Sequence, residues 1–286
     1  MSARISAVVH TLNEETRLPF ALRSLKPWVD EIVVVDMRSD DHTAEVARSC
    51  GAIVYEHERL AYADPARASA VGKTTGDWIL ILDADEIVPR SLARRLRSIA
   101  DEGSCDAVRL PRANWILGEV IAHCGWGASQ DGHFRFFRRG AVHLPAEVHR
   151  AARPEPGMRL LDLCRQPDAA IVHFNYVDAR DFLERLNRYT SIEAGNAAAR
   201  GERPSRLREI RKPLQAFLWR YFALAGWRDG WRGFALAGLM GFYRFAAEVK
   251  LRELAAGVSA EEICRRYQAE AERLLGEYER APRGPA

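Results

Sequence analysis

Short apolar runs alternate with longer amphipathic segments along the first hundred residues. The apolar runs span residues 5–9, 31–36, 53–55 and 78–82. Runs of this length, bounded by polar residues, are typical of strands buried on both faces of a sheet. The segments that separate and follow them, including 65–75 and 89–100, have helical spacing or helix start signals. This alternation predicts an α/β fold with a mainly parallel sheet and flanking helices.

Helix start and stop signals support the alternation. Asn13 is placed to cap a first helix, with Glu14 and Glu15 in its first turn, where the helix dipole favours acidic side chains. Gly51 follows the second helix as a stop signal, and Pro89 opens the fourth helix.

Polar side chains gather where the apolar runs end. Residues 11–14 follow the first run, Asp36 ends the second, and Asp83, Asp85 and Glu86 follow the fourth. The carboxyl ends of parallel strands meet at one edge of the sheet, where open α/β sheets bind their ligands. Carboxylates this close repel one another unless a cation lies between them. The sequence therefore predicts a ligand site with a cation at this edge.

The Asp-x-Asp at residues 83–85 narrows the ligand class. Hard cations such as Mg²⁺ and Mn²⁺ take one or two carboxylates as ligands and complete their shell with substrate phosphates. The expected ligand is a diphosphate that arrives with its metal, whose charge assists the departure of the diphosphate.

Composition limits the remaining function classes. The chain has 286 residues, is 48% hydrophobic and carries a net charge of +3, which gives no drive toward nucleic acid. Its five cysteines are odd in number and form no C-x-x-C pair, which indicates reduced thiols in a cytosolic compartment. No apolar run reaches the ~18 residues of a membrane span.

Three stretches follow one another along the first ninety residues: ISAVVHTLNEE, EIVVVDMRSDDHTAEVA and TTGDWILILDADE. In order and spacing they resemble the nucleotide-binding half of the family 2 glycosyltransferases, which have the GT-A fold. The resemblance implies a nucleoside diphosphate sugar as donor, expected to be a UDP-sugar, and a divalent cation, Mn²⁺ or Mg²⁺, on Asp85. The donor-binding residues that it implies are Thr11, Asn13, Glu14, Asp36, Arg67 and Asp83. Ala68 departs from the family pattern, in which an asparagine follows the arginine.

Residues 105–150 are predicted to form the acceptor side. Residues 105–127 indicate strands around a Leu117-Gly118 turn, and residues 131–140 indicate another strand. The segment resembles the lipopolysaccharide-core glucosyltransferases of the same family. Those enzymes carry a tryptophan-rich stretch, an aspartate four residues before Arg-x-Phe, and a Val-His-Glu.

Two carboxylates are candidates for the general base that an inverting sugar transfer needs. Asp131 lies four residues before the Arg-x-Phe of this chain and is the first candidate. Glu147 is the second, because Arg150 stands where the family has the glutamate of Val-His-Glu. His149 is a candidate metal ligand, and His173 is a candidate ligand for metal or phosphate.

The composition changes after residue 200. A basic run, RPSRLREIRK, precedes apolar residues at helical spacing, a break at WRDGWRG, a second helix over 234–247 and a terminal amphipathic helix over 259–280. Aromatic side chains interleaved with arginines favour a helical hairpin in a membrane interface over residues 203–247. The alternative is a helical lid packed on the transferase core.

The sequence thus predicts a GT-A domain over 1–200, with a nucleotide-sugar half (1–100) and an acceptor half (101–200), and a helical extension over 201–286. The predicted enzyme moves a hexose, with inversion, to a cell-envelope glycan or glycolipid at the cytoplasmic face of the membrane. Two alternatives stay open. One is a polyprenyl-phosphate sugar transferase, and the other is an inactive nucleotide-sugar-binding protein.

Overall fold

A computed structural model describes residues 2–59, 64–144 and 152–280. Glu147 and His149, two of the predicted site residues, lie outside the described residues. The strands are β1 (Ile5–Thr11), β2 (Glu31–Asp36), β3 (Ile53–Glu56), β4 (Trp78–Asp83), β5 (Glu86–Ile87), β6 (Ala107–Ile116), β7 (Glu119–Val120), β8 (Gly132–Arg138), β9 (Val142–His143), β10 (Arg153–Pro154), β11 (Leu160–Asp162) and β12 (Ile171–Phe174). The helices are α1 (Leu18–Leu25), α2 (Thr43–Ser49), α3 (Asp64–Gly72), α4 (Arg90–Glu102), α5 (Ala179–Ala199), α6 (Arg206–Leu218), α7 (Gly230–Ala256) and α8 (Ala260–Arg280).

The central sheet has the order β3-β2-β1-β4-β8-β6-β12-β5. Strands β1 to β4 pair in parallel, β8 runs antiparallel between β4 and β6, and β12 is parallel to β6. The predicted α/β class, with a mainly parallel sheet, flanking helices and a helical C-terminal extension, is confirmed.

The core is built on both faces of β4, as its unbroken apolar run predicted. Trp78, Leu80 and Leu82 pack on one face in a cluster that also contains residues of α1 and α4. Ile79 and Ile81 point to the other face, in a cluster with residues of β2 and β8. Because both faces are buried, no position of this strand needs a polar side chain until the sheet edge at Asp83.

The predicted cap of the first helix is wrong. Helix α1 begins at Leu18, with proline in its first turn and no side-chain cap. Asn13 instead has a left-handed backbone (φ 57°), and its side-chain oxygen accepts a hydrogen bond from the Asp40 amide at 2.8 Å. Asparagine tolerates this conformation better than most residues, so its place in the loop after β1 explains the residue type.

The acceptor-side strands and their turn are confirmed. Leu117 and Gly118 join β6 to β7 with positive φ angles of 54° and 81°, the backbone that a two-residue hairpin turn requires. β8 covers the strand predicted within residues 131–140.

The chain forms two compact units. One contains residues 1–183 and 218–237, and the other contains 184–217 and 238–286. The helix break predicted at residues 227–233 is only partly confirmed. It lies earlier, at residues 219–229, where one turn of π-helix and one of 3₁₀-helix precede α7, which already begins at Gly230. The terminal helix is also found, as α8. Within the described ranges, no helix has the length and apolar character needed to cross a membrane. The predicted domain boundary at residue 200 stays a prediction.

Candidate active site

The sheet brings the polar strand ends to one edge. Thr11 is in register with Asp36 on the neighbouring strand, and His10 is in register with Asp83 on the other side. β8 runs in the opposite direction, so its first residues, rather than its last, lie at this edge. Asp131 directly precedes β8 and therefore joins the same edge from the acceptor side.

Asp83 is bound by two arginines. Arg135 on β8 donates two hydrogen bonds to its carboxylate, at 3.0 and 2.8 Å, and Arg67 on α3 donates a third at 2.8 Å. Burial opposes ionisation of Asp83, but the charges of Arg135 and Arg67 outweigh burial and hold its pKa well below the usual range. Asp83 is therefore a permanent anion within a cationic cradle.

Arg112 on β6 joins the two other carboxylates. It donates to Asp131 from Nε and Nη2, at 3.0 and 3.1 Å, and its Nη1 lies 3.4 Å from the fully buried Glu86. Arg135 also approaches Glu86, at 3.7 Å. Three arginines thus balance three carboxylates, and we call this set the arginine–carboxylate network (Arg67, Arg112, Arg135, Asp83, Glu86, Asp131). Much of the charge predicted to need a cation is balanced by guanidinium groups.

Asp131 has little capacity left to accept a proton. Besides Arg112, its carboxylate accepts a hydrogen bond from the Asn114 amide at 2.7 Å and lies 2.8 Å from Nε2 of His133. Burial raises its pKa, but the contacts with His133 and Arg112 lower it by more, so the pKa lies well below its ordinary value. A carboxylate in this state is a weak base.

Asp85 lies outside the network and faces a histidine. Its Oδ1 is 3.5 Å from Nε2 of His173, and its Oδ2 is 3.9 Å from Arg17. Burial opposes ionisation of Asp85, but its pKa still lies below its usual range, an effect to which the charge of Arg17 contributes. Carboxylate and imidazole are both ligands for Mn²⁺, so this pair fits a divalent cation. The part of the chain that the structure describes holds no group of three or more potential metal ligands.

The loop after β1 is tied to the loop after β2. The Ser39 hydroxyl donates a hydrogen bond to the Asp36 carboxylate at 2.5 Å and accepts one from the backbone N–H of Asn13 at 2.9 Å. Glu14 accepts two hydrogen bonds from Arg17, at 2.7 and 2.8 Å. The Thr11 hydroxyl is buried and has no hydrogen-bond partner among the described residues, which leaves it for a ligand. The predicted donor residues Thr11, Asn13, Glu14, Asp36, Arg67 and Asp83 therefore share one edge.

The sequence left important contacts unidentified, above all those of Arg112 and Asn114. Both lie on β6 two residues apart, so the strand period places their side chains on one face. A charged residue inside an otherwise buried strand needs a partner. Applied to Arg112 and to Arg135 in the middle of β8, this reasoning predicts from the sequence that both arginines pair with carboxylates.

Comparison with known proteins assigns the family. Residues 6–123 match the family model described as glycosyl transferase family 2. The chain carries a family 2 glycosyltransferase domain. The lipopolysaccharide core biosynthesis glycosyltransferase LpsC of Rhizobium meliloti is 27% identical to this glycosyltransferase over 256 residues, which are 86% of this chain and 91% of LpsC. A protein named as an uncharacterized glycosyltransferase of Rickettsia bellii is 24% identical over 89% of this chain and 88% of its own.

Solved structures overlap with this glycosyltransferase only in part. Glucosyl-3-phosphoglycerate synthase from Mycobacterium tuberculosis, in complex with Mn²⁺, uridine diphosphate and phosphoglyceric acid, is 27% identical. That match covers 38% of this chain and 43% of the synthase, with a TM-score of 0.33. The family assignment therefore rests on the sequence match.

Proposed function

We propose that this glycosyltransferase moves a hexose, with inversion, from a UDP-sugar to a cell-envelope glycan or glycolipid, with the help of Mn²⁺ or Mg²⁺. The observation that carries the proposal is the Asp85–His173 pair beside the arginine–carboxylate network, at the sheet edge of a family 2 glycosyltransferase domain. The acceptor class is supported by similarity to LpsC along most of the chain.

The donor nucleotide is proposed to lie across the ends of β1 and β2. The unpartnered hydroxyl of Thr11 can both donate and accept a hydrogen bond, and the carboxylate of Asp36 can accept one. These two groups are proposed to contact the base and the ribose. Asn13 and Glu14 border this place through the loop that Ser39 and Arg17 hold. Arg67 is proposed to contact the diphosphate while Asp83 orients it. Because the carboxyl ends of parallel strands form the usual ligand crevice, this position agrees with the fold.

The cation is proposed to bind to Asp85 and His173. His149, the metal ligand predicted from the sequence, lies outside the described residues and stays a prediction. A bound cation would neutralise the charge that develops on the departing diphosphate. Asp83 is the weaker candidate ligand, because three guanidinium hydrogen bonds already engage its two oxygens.

We propose that Glu147, the second of the two candidate carboxylates, serves as the general base. Asp131 was the first candidate. Its lowered pKa and its hydrogen bonds to Arg112 and Asn114 suit a residue that orients its neighbours. A base needs a pKa nearer the working pH and a lone pair directed at the acceptor hydroxyl.

We also propose that the segment at 218–237 contacts an anionic membrane surface that carries the acceptor. Five aromatic side chains there are between 53% and 63% exposed: Trp219, Phe222, Trp227, Trp231 and Phe234. Arg228 lies over the Trp227 ring at 5.1 Å, and Arg232 over the Trp231 ring at 4.9 Å. Apolar rings with adjacent cations suit the interface of an anionic bilayer.

A thermal-shift screen tests the proposed donor. Uridine, guanosine, adenosine and cytidine diphosphates and their sugars would be added with and without Mn²⁺. A ligand at about 100 times its dissociation constant stabilises the folded state by about 2.7 kcal/mol. The proposal expects stabilisation by uridine diphosphates that needs Mn²⁺. If only Mn²⁺-independent stabilisation occurs, the metal-dependent assignment fails. Release of free sugar from the stabilising donor would further exclude an inactive binding protein.

A further inference from the structure

One buried amide connects the two parts of the candidate site. Asn114 on β6 is fully buried, and its side chain meets three partners. Its Nδ2 is 2.8 Å from the Trp126 carbonyl oxygen and 2.7 Å from Asp131, and its Oδ1 is 2.7 Å from Nδ1 of His173. Asn114 therefore lies between the arginine–carboxylate network and the Asp85–His173 pair.

The partners fix the orientation of this amide. A backbone carbonyl only accepts hydrogen bonds, and the same holds for an ionised carboxylate such as Asp131. The two hydrogens of the Asn114 NH₂ group satisfy both. The carbonyl oxygen of Asn114 must then face His173, and it accepts the hydrogen carried by Nδ1.

The orientation of Asn114 in turn selects one tautomer of His173. With the hydrogen on Nδ1, the neutral ring has its lone pair on Nε2, directed toward Asp85. The other tautomer would set a bare Nδ1 against the Asn114 carbonyl oxygen at 2.7 Å. Rotating the amide to relieve that contact would set its oxygen against both Trp126 and Asp131, which are also acceptors.

The selected tautomer leaves two acceptor atoms facing each other. Nε2 of His173 and Oδ1 of Asp85 lie 3.5 Å apart. Two ligand atoms that are each about 2.1 Å from one ion, at an angle of about 90–110°, are about 3.0–3.4 Å apart. The separation is therefore close to that of two adjacent ligands of one divalent cation.

We propose that Asn114 is a positioning residue, which holds His173 with its hydrogen on Nδ1 so that Nε2 and Asp85 form a cation-binding pair. This inference rests on the metal-dependent function proposed above and names the residue that prepares its metal site. It also gives Asp131 a structural part, since Asp131 and Trp126 hold the Asn114 amide in place. Outer partners of metal-binding histidines commonly change metal affinity about 10- to 100-fold when removed.

The tautomer of His173 is directly measurable in the metal-free full-length protein. Long-range ¹H–¹⁵N correlation spectra of protein labelled on histidine distinguish a ring that carries its hydrogen on Nδ1 alone from one that carries a hydrogen on Nε2. The His173→Gln variant identifies the signals. The inference expects the hydrogen on Nδ1. A hydrogen on Nε2 would overturn it, because the Asp85–His173 contact would then be an ordinary hydrogen bond with no need of a cation.

Mn²⁺ affinity tests the consequence independently of turnover. Electron paramagnetic resonance of free Mn²⁺, with the metal alone as probe, would compare wild type with Asn114→Leu. We expect about 10- to 100-fold weaker binding, and less than about twofold further change when Asn114→Leu is added to His173→Ala. Thr74→Val is the matched control, since it removes a buried hydroxyl at the opposite edge of the sheet and should leave Mn²⁺ affinity unchanged.

Two results would overturn the positioning role. One is wild-type Mn²⁺ affinity in a folded Asn114→Leu variant, and the other is an equal loss in the His173→Ala background. Should Asn114→Leu fail to fold, the tautomer spectrum of the wild type still decides. The proposed function fails separately: the predicted tautomer and Mn²⁺ affinity together with no nucleotide binding would reject the donor assignment alone.

Discussion

The arginine–carboxylate network makes a strong prediction about Arg135. This side chain is 8% exposed, donates two hydrogen bonds to Asp83 at 3.0 and 2.8 Å, and lies 3.7 Å from Glu86. The substitution Arg135→Met keeps most of the side-chain volume within β8 and removes the charge. Two buried carboxylates then lose part of the positive charge that offsets their burial.

The expected cost follows from what remains. Removal of one partner from a buried ion pair destabilises a protein by about 3–5 kcal/mol. Asp83 keeps Arg67 at 2.8 Å, and Glu86 keeps Arg112 at 3.4 Å, so we expect a loss of about 3 kcal/mol in the free energy of unfolding. In a unit of this size, about 2–4 °C of melting temperature corresponds to each kcal/mol, which gives a decrease of about 6–12 °C.

Thermal and urea unfolding, followed by circular dichroism, measure this loss. Arg109→Met on β6 is the matched control, because Arg109 pairs with Asp162 at 3.1 Å where both side chains are at least one-third exposed. Ion pairs of that kind contribute about 0–1 kcal/mol. If Arg135→Met is as stable as Arg109→Met, the network does not carry the charge balance described above.

Three further predictions concern the base, the membrane and pH. Glu147→Gln should lower turnover by about 10²- to 10⁴-fold with UDP binding intact. Asp131→Asn should mainly lower the melting temperature. The reverse result would identify Asp131 as the base. Replacing Trp227 and Trp231 by serine should weaken co-sedimentation with anionic liposomes, most visibly in high salt, where only the apolar contribution remains; unchanged binding would point to a packed lid. Burial and the neighbouring arginine charges lower the pKa of His10 to about 3. Below about pH 6.5 the unfolded chain therefore binds a proton that the folded chain does not. The free energy of unfolding should then fall by up to about 1.4 kcal/mol for each unit of decreasing pH. His10→Gln should flatten this dependence, and an equally steep profile would contradict it.

The strands were predictable because their signal is local. The apolar run at β4 is short, unbroken and bounded by polar residues, so it specifies a doubly buried strand without knowledge of its neighbours. Its end at Asp83 predicted the sheet edge at which the structure brings the charged side chains together. The Asn13 cap failed for a local reason too, since capping residues also favour left-handed loop positions and the sequence signal is the same.

The partners at the site were not predictable to the same degree. Arg112 and Arg135 reach Asp131 and Asp83 only because β8 runs antiparallel between β4 and β6. Nothing near Asp83 in the sequence shows that a guanidinium group from a distant strand, that of Arg135 on β8, will balance its charge together with Arg67. A buried charge indicates that a partner of opposite charge is needed, but the topology of the sheet determines which residue is that partner.

Calorimetric titration of UDP, with and without Mn²⁺, into wild type and Asp85→Ala tests the central claim of metal-dependent donor binding most directly. Among the described residues, Asp85 is one of the two proposed protein ligands of the cation, and too few hard ligands remain without it. We expect Mn²⁺ to strengthen UDP binding to the wild type and to have no such effect on Asp85→Ala, while any Mn²⁺-independent UDP binding is alike in both. Equal Mn²⁺-dependent affinity of the two proteins for UDP would contradict the account.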